Sequence, residues 1–250
     1  MVRLQVIHDE LDACAYLPGQ TARMPLEVPT RALEAWEFDD LLSDGYRRIG
    51  FAFYRTQCPS CASCVPIRVP TDTFLPSRSQ RRVWRRDAGT VSLEVGRPQD
   101  DATRVALYNK HLSGRGLARF PEPTTRETYR MSFVDSPVDT REVVYRVDGR
   151  IVAVSILDVG ATAASSVYHY FDPDESRRSL GVFSALAEIR LAAHWGLRWY
   201  YLGLWVEQCA SLAYKANYTP HEMRVAGEWR RGEERREGNP QEDGKVGRGE

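Results

Sequence analysis

Residues 165–205 read S-S-V-Y-H-Y-F, then D-P-D-E-S-R-R-S, then L-G-V-F-S-A-L-A-E-I-R-L-A-A-H-W, then G-L-R-W-Y-Y-L-G-L-W. The first seven alternate as a strand should. Residues 180–195 follow helical spacing, with Phe183, Leu186, Ala187 and Ile189 facing inward and Gly196 placed to stop the helix. Residues 199–205 form a continuous apolar run, the pattern of a buried strand. Strand, helix and strand in this order predict a right-handed crossover between parallel neighbours. The two strands should therefore lie side by side at the centre of a sheet.

Working outward, residues 143–157 predict a hairpin closed by Asp148-Gly149 as a type I′ turn. Residues 100–112 predict a helix with Val105, Leu107, Tyr108 and Leu112 apolar, and 207–217 another. Residues 114–125 predict a loop able to move. The chain up to about residue 90 is loop-rich, holding prolines 18, 25, 29, 59, 66, 70 and 76 and four of the five cysteines. From Trp229 onward, Arg, Glu and Gly without apolar periodicity predict disorder. The expected division is a Cys/Arg-rich N-terminal domain (1–90), a mixed-sheet domain (91–228) and a tail (229–250). The class is α/β (α+β).

This succession resembles the N-acetyltransferase-like fold, in which two central parallel strands splay apart. There the helix after the first strand starts at the cofactor phosphates. Arg177, Arg178 and Gly181 partly echo that phosphate loop, but Phe183 stands in place of its second glycine. A ring there obstructs close backbone approach to a pyrophosphate, which argues against acetyl-coenzyme A.

The 250 residues are 42% apolar and 27% charged, ordinary for a soluble globular protein. No apolar run is long enough to span a membrane and the N-terminus shows no secretory signal, so a cytoplasmic location is expected. Cys58, Cys61 and Cys64 stand at C-x2-C-x2-C spacing, with Cys14 remote. Four thiolates are the number a closed structural zinc or iron–sulfur site takes, while unliganded thiols in a turn-rich loop are the alternative. Nine arginines lie between residues 45 and 86 against one acid, Asp72. Within this window, S-R-S-Q-R-R-V-W-R-R (77–86) interleaves Trp84 with Arg78, Arg81, Arg82, Arg85 and Arg86. That mix suits nucleic-acid phosphates and an unpaired base, against the alternative of a solvated face.

Several stretches together resemble the arginyl-tRNA–protein transferase family. They are Cys14-Ala15-Tyr16-Leu17-Pro18, Gly45-Tyr46-Arg47-Arg48-Ile49-Gly50, Tyr54-Arg55 with the cysteines and Pro66-Ile67-Arg68, and Ser77-Arg78-Ser79-Gln80-Arg81-Arg82. Further along come Tyr170-Phe171-Asp172-Pro173, Ser179-Leu180-Gly181, Tyr201-Leu202-Gly203 and Ala213-Tyr214-Lys215-Ala216. The resemblance is to the short bacterial type, aspartate/glutamate leucyltransferase. It implies transfer of an amino acid, leucine or alternatively arginine, from charged tRNA to a protein with N-terminal Asp or Glu, creating a degradation signal. A non-catalytic metal- or redox-sensing RNA-binding module is the further alternative.

The resemblance implies catalytic roles for Asp172, Tyr170, Tyr201 and Lys215, and substrate contacts from Arg47, Arg48, Arg55, Ser179, Leu180, Gly181 and Tyr214. Asp172 can equally be an Asp-Pro turn capping the next helix, and His169 a satisfied core histidine. Arg68 is a further candidate for holding a carboxylate. The ester of a charged tRNA is already activated, so transfer needs positioning, a modest base and oxyanion donors, and no cofactor in the bond-making step.

Overall fold

The computed structural model describes residues 2–118 and 120–232. Along the chain run β1 (Leu4–His8), β2 (Leu11–Ala13), β3 (Thr21–Arg23), β4 (Leu26–Pro29), α1 (Ala35–Ser43), β5 (Arg47–Ile49), β6 (Ala52–Tyr54), β7 (Val65–Pro70) and α2 (Arg78–Asp87). They continue with β8 (Ser92–Gly96), α3 (Ala102–Gly114), α4 (Arg126–Phe133), β9 (Asp139–Val147), β10 (Arg150–Val159), β11 (Ala163–Phe171) and α5 (Leu180–His194). Last come β12 (Trp199–Trp205), α6 (Ala210–Ala213), β13 (Glu222–Val225) and β14 (Glu228–Arg231).

The main sheet runs β14-β13-β7-β12-β11-β10-β9-β8. β11 and β12 are its parallel neighbours and α5 crosses between them, as the 165–205 stretch predicts. Asp148 and Gly149 both take positive φ, +49° and +78°, closing the β9–β10 hairpin as a type I′ turn requires. Gly196 ends α5 at φ +74°. The chain has the N-acetyltransferase-like mixed sheet.

Alternation along the strands sends side chains to two layers. Ala153, Leu157, Ala164, Tyr200 and Leu202 pack with Phe183, Leu186 and Ile189 of α5. On the opposite face Val154, Ile156 and Tyr170 meet Leu107, Tyr129 and Phe133 from α3 and α4. Further along that face, Ala163 and Tyr201 meet Phe38, Leu41 and Leu42 of α1 and Phe53 of β6. A small sheet, β1-β4-β6-β5, lies there with α1. Burial of the large aliphatic and phenylalanine side chains among these contributes about 1.5–3 kcal/mol each.

Three expectations need correction. The division at residue 90 cuts through the main sheet, because V-P-I-R-V-P (65–70) forms β7 and pairs with β12. The prolines that made this stretch read as loop, Pro66 and Pro70, stand second and last in a six-residue strand. Trp229, Arg230 and Arg231, read as tail, lie in β14, which pairs with β13. Trp229 is anchored by donating its indole N–H to Ser43 O at 2.9 Å; the rest of the tail, from 233, lies outside the described residues. The helix expected over 207–217 is a single α-turn followed by a 3₁₀ segment, Tyr214–Asn217. The Ala213 carbonyl accepts from the Trp205 indole, so it is tied to the neighbouring strand.

Candidate active site

β11 and β12 stay paired for only three residues, Ala163 with Trp199, Ala164 with Tyr200 and Ser165 with Tyr201. Beyond that β12 follows β7 on its other side, with a register shift between Tyr201 and Gly203. Gly203 takes φ +103°, a conformation a side chain resists. Into the resulting split reaches Arg47 from β5. Its Nη1 donates to Ser165 Oγ at 2.7 Å and its Nη2 donates to the Ser166 carbonyl. From the 3₁₀ turn after α6, Lys215 Nζ donates to the Leu204 carbonyl at 3.0 Å. A β-carbon on Gly203 would stand 3.1 Å from Arg47 Nη2 and 3.1 Å from Lys215 Nζ.

Two cations thus share one small space, and among the described residues no carboxylate pairs with either. Burial, reinforced by the Arg47 charge, pushes the Lys215 ammonium down to about 7. A guanidinium cannot release its proton at such pH, so the lysine yields. Arg47 retains N–H groups beyond the two used here. Beside Lys215, Tyr214 is 42% exposed and offers an open aromatic face. Tyr54, opposite Arg47 in the β5–β6 ladder, lines the same region; burial raises its phenol, which also feels Arg47 and Cys64. This arrangement can hold an anionic group and accept a proton beside it.

Residues 12–82 match the description "Arginine-tRNA-protein transferase, N terminus" and residues 103–225 match "Arginine-tRNA-protein transferase, C terminus". A protein of Chromobacterium violaceum named aspartate/glutamate leucyltransferase is 36% identical over 86% of this chain and 89% of its own. One of the same name from Pseudomonas savastanoi pv. phaseolicola is 33% identical over 92% and 97%. The chain belongs to the arginine-tRNA-protein transferase family. It is a transferase. Among solved structures, FemX overlays 73% of this chain and 63% of its own at a TM-score of 0.45 and 9% identity.

Of the residues the family motifs singled out, the structure brings Arg47, Lys215 and Tyr214 to the split and places others elsewhere. Arg48 is consumed by a buried bidentate pair with Asp158, at 2.6 and 2.9 Å, which fastens the small sheet to the main one. No fork remains for a substrate. Arg55 stacks over Tyr46 at 4.5 Å, its Nε buried without a hydrogen-bond partner. Arg68 lies between the Trp199 and Trp229 rings, at 3.7 and 4.1 Å, and is paired with Glu222 at 2.6 Å. It is a structural clamp.

Tyr170 is fully buried and hydrogen-bonded to Tyr129 at 2.6 Å, in the aromatic cluster under α3 and α4. Tyr201 is 4% exposed and accepts from Arg68 at 3.0 Å, so both tyrosines are packing residues. Asp172 lies seven residues past Ser165, roughly 23 Å along an extended strand. Its carboxylate accepts from the Asp174 amide and pairs with Lys110 and Arg150, both at 2.7 Å. Burial works to raise this carboxyl, but Lys110, the Asp174 amide and Arg150 together hold it below the usual range. It is the capping residue of the Asp-Pro turn. His169 bonds Ser155 Oγ at 2.8 Å, and burial pushes it down to about 3, so it is a neutral core histidine.

At the start of α5, Leu180 is core, Ser179 is a left-handed hinge at φ +53°, and Gly181 has open space beside it. Arg178 of the phosphate-loop echo is held by Asp87 and Glu175. Phe183 is buried and stacks on Trp84 at 5.1 Å. Trp84 is therefore sandwiched, with the Arg190 guanidinium 4.4 Å over its ring, and has no face left for a base.

Residues 78–87 fold as α2 under a capping box: Gln80 N donates to Ser77 Oγ, and Ser77 N to Gln80 Oε1. The S-x-x-Q signal for this helix was present in the sequence. All five arginines, Arg78, Arg81, Arg82, Arg85 and Arg86, are exposed on the surface. Arg81 donates to the Pro76 carbonyl and Arg86 pairs with Asp87. Arg78, Arg82 and Arg85, at helical i, i+4, i+7 spacing, form a stripe with no ion pair among the described residues.

The thiols gather. Burial, followed by the nearness of Cys58, Cys14, Cys61 and Cys209, raises Cys64 to about 12. Cys14 Sγ accepts from the Tyr16 and Leu17 amides at 3.5 and 3.4 Å. Cys209, read as core, joins this cluster. Yet among the described residues no three such side chains stand close enough to hold a metal ion. The soft donor set suits zinc or an iron–sulfur cluster, but the spacing here does not form a ligand sphere.

Sequence reading missed Gly203, Ser165, Ser166 and Tyr54 as site residues. A glycine inside W-Y-Y-L-G-L-W was the available signal, since strand glycines mark close approach.

Proposed function

We propose that the protein transfers leucine from leucyl-tRNA to the α-amine of proteins beginning with Asp or Glu, marking them for degradation. The observation that carries this reading is the pair of cations, Arg47 and Lys215, that lie over Gly203 at the strand split with no carboxylate partner among the described residues. Arg47 takes the acceptor's side-chain carboxylate through its remaining N–H groups, a charge-assisted bond that a neutral amide does not supply. Lys215, neutral in part near pH 7, takes the proton released as the acceptor α-ammonium becomes the attacking amine, whose own value is about 7.7–8.0. The amine nitrogen bonds to the ester carbonyl carbon. The carbon–oxygen bond to the terminal ribose breaks, and the ribose hydroxyl recovers a proton.

The charged tRNA lies along the Arg78–Arg82–Arg85 stripe of α2, with Tyr214 available for its terminal base. Leucine is preferred over arginine as donor because the similar proteins carry that name over nearly their whole length. Among the described residues no helix is long and apolar enough to cross a membrane. A reducing cytoplasm suits five free cysteines.

The test supplies purified protein with labelled leucyl-tRNA or arginyl-tRNA and peptides beginning with Asp, Glu, Asn or Gln. Leucine should reach the Asp and Glu peptides, roughly ten- to hundredfold faster than their amides. Transfer of arginine alone would overturn the donor, and equal use of Asp and Asn peptides would overturn carboxylate recognition. Acetylating the peptide α-amine should abolish the reaction.

A further inference from the structure

Under the strand split, on the α5 side, lies an acid that the transfer chemistry above does not use. Glu188 is 2% exposed and faces no cation among the described residues. Tyr145 donates to its Oε1 at 3.1 Å and Tyr200 donates to its Oε2. In both bonds the phenol is the donor, so each phenol oxygen is left to accept. Tyr145 turns to Ser155, which also reaches Glu188 itself, and Tyr200, opposite Ala164 in the ladder, turns to Ser166 on the same face of β11.

The two branches then differ. Ser155 leads to His169, deep in the core. Ser166 leads to the active site, because it is the first residue of β11 past the last pair with β12, and its carbonyl accepts from Arg47. Here the guanidinium occupies the place where the strands have parted. Ser166 is held through its side chain by Tyr200 and through its carbonyl by Arg47. A chain of contacts thus runs Glu188, Tyr200, Ser166, Arg47 and crosses the sheet at the split.

We infer that Glu188 is a positioning residue for acceptor recognition, fixing the Arg47 guanidinium through Tyr200 and Ser166. By accepting from Tyr200, Glu188 sets the direction of the hydrogen bonds in that branch, and Ser166 is thereby held at the spot where Arg47 is anchored. The inference rests on the reading of Arg47 as the acceptor carboxylate site.

Tyr145 supplies an internal control. Tyr200→Phe and Tyr145→Phe each remove one buried hydroxyl from Glu188 and one bond to a serine, but only Tyr200→Phe cuts the link to Arg47. Tyr200→Phe should raise the KM for an Asp-initiated peptide roughly tenfold, with kcat held and the preference for Asp over Asn reduced. Ser166→Ala, which keeps the carbonyl, should reproduce it. Tyr145→Phe should lose comparable thermal stability while KM and preference stay at wild-type values. Equal KM in the two phenylalanine variants, with an active wild type, would overturn this inference alone. A wild type that transfers no amino acid from charged tRNA would instead count against the functional reading, and against this one with it.

Discussion

Arg47 and Lys215 meet over Gly203, each with a side-chain nitrogen 3.1 Å from where a β-carbon on that glycine would stand. The two residues are 168 positions apart in the chain. One comes from the small sheet and one from the turn after β12. Their shared position depends on the strand split.

Gly203→Ala tests that position directly. The substitution forces a side chain into φ +103° and pushes a methyl against both cations. We expect a stability loss of about 1–3 kcal/mol and a fall in transfer rate of roughly a hundredfold. Urea unfolding and single-turnover transfer measure the two effects separately. A variant that folds and transfers normally would show that the split is not where the reaction occurs.

Lys215 predicts the pH behaviour. Its native value, about 7, lies below the ordinary 10.5, because burial and Arg47 disfavour its charge. Between those values the unfolded chain holds more protons than the native one, so this residue's penalty is full below pH 7 and fades as pH rises toward 10.5. Lys215→Met should therefore stabilise the fold most at pH 6 and least near pH 10, by thermal melts. The neighbouring ionisable groups are Arg47, charged throughout, and Cys209, whose ionisation would favour the ammonium. Wild-type transfer should climb as pH passes 7, and the variant should lose that climb along with most activity. A stability gain independent of pH would refute a depressed lysine.

Arg48 separates structure from recognition. Arg48→Ala leaves Asp158 buried without its partner and should cost about 3–5 kcal/mol. Soluble protein that remains folded should still prefer Asp to Asn peptides. A selective loss of that preference, with stability intact, would return Arg48 to the substrate site.

The α2 stripe predicts a graded salt effect. Replacing Arg78, Arg82 and Arg85 with Ala should weaken tRNA binding and lower the slope of log affinity against log salt, by roughly one for each phosphate no longer neutralised. Arg81 and Arg86, already engaged with Pro76 and Asp87, should change it less. Identical slopes in all variants would make this face a merely solvated one.

Local pattern determined the centre of this fold. The strand, helix and strand of residues 165–205, the Asp148-Gly149 hairpin and the Gly196 stop were legible because periodicity and left-handed glycines act within a few residues. The family motifs also placed Arg47, Tyr214 and Lys215 among the residues of interest. What those motifs did not separate was a working side chain from a packed one. Tyr170, Tyr201, Arg48 and Asp172 have the same functional groups as site residues, and only their partners Tyr129, Arg68, Asp158 and Lys110 show that those groups are already engaged. Each of those partners is far away in sequence, so the engagement is a property of tertiary contact. The same holds for V-P-I-R-V-P, which joins the main sheet because β12 leaves β11 and needs another neighbour for its backbone. Sequence carried the elements and their order. The fold alone decided which cations remain unpaired, because pairing depends on which distant groups packing brings within a few ångströms.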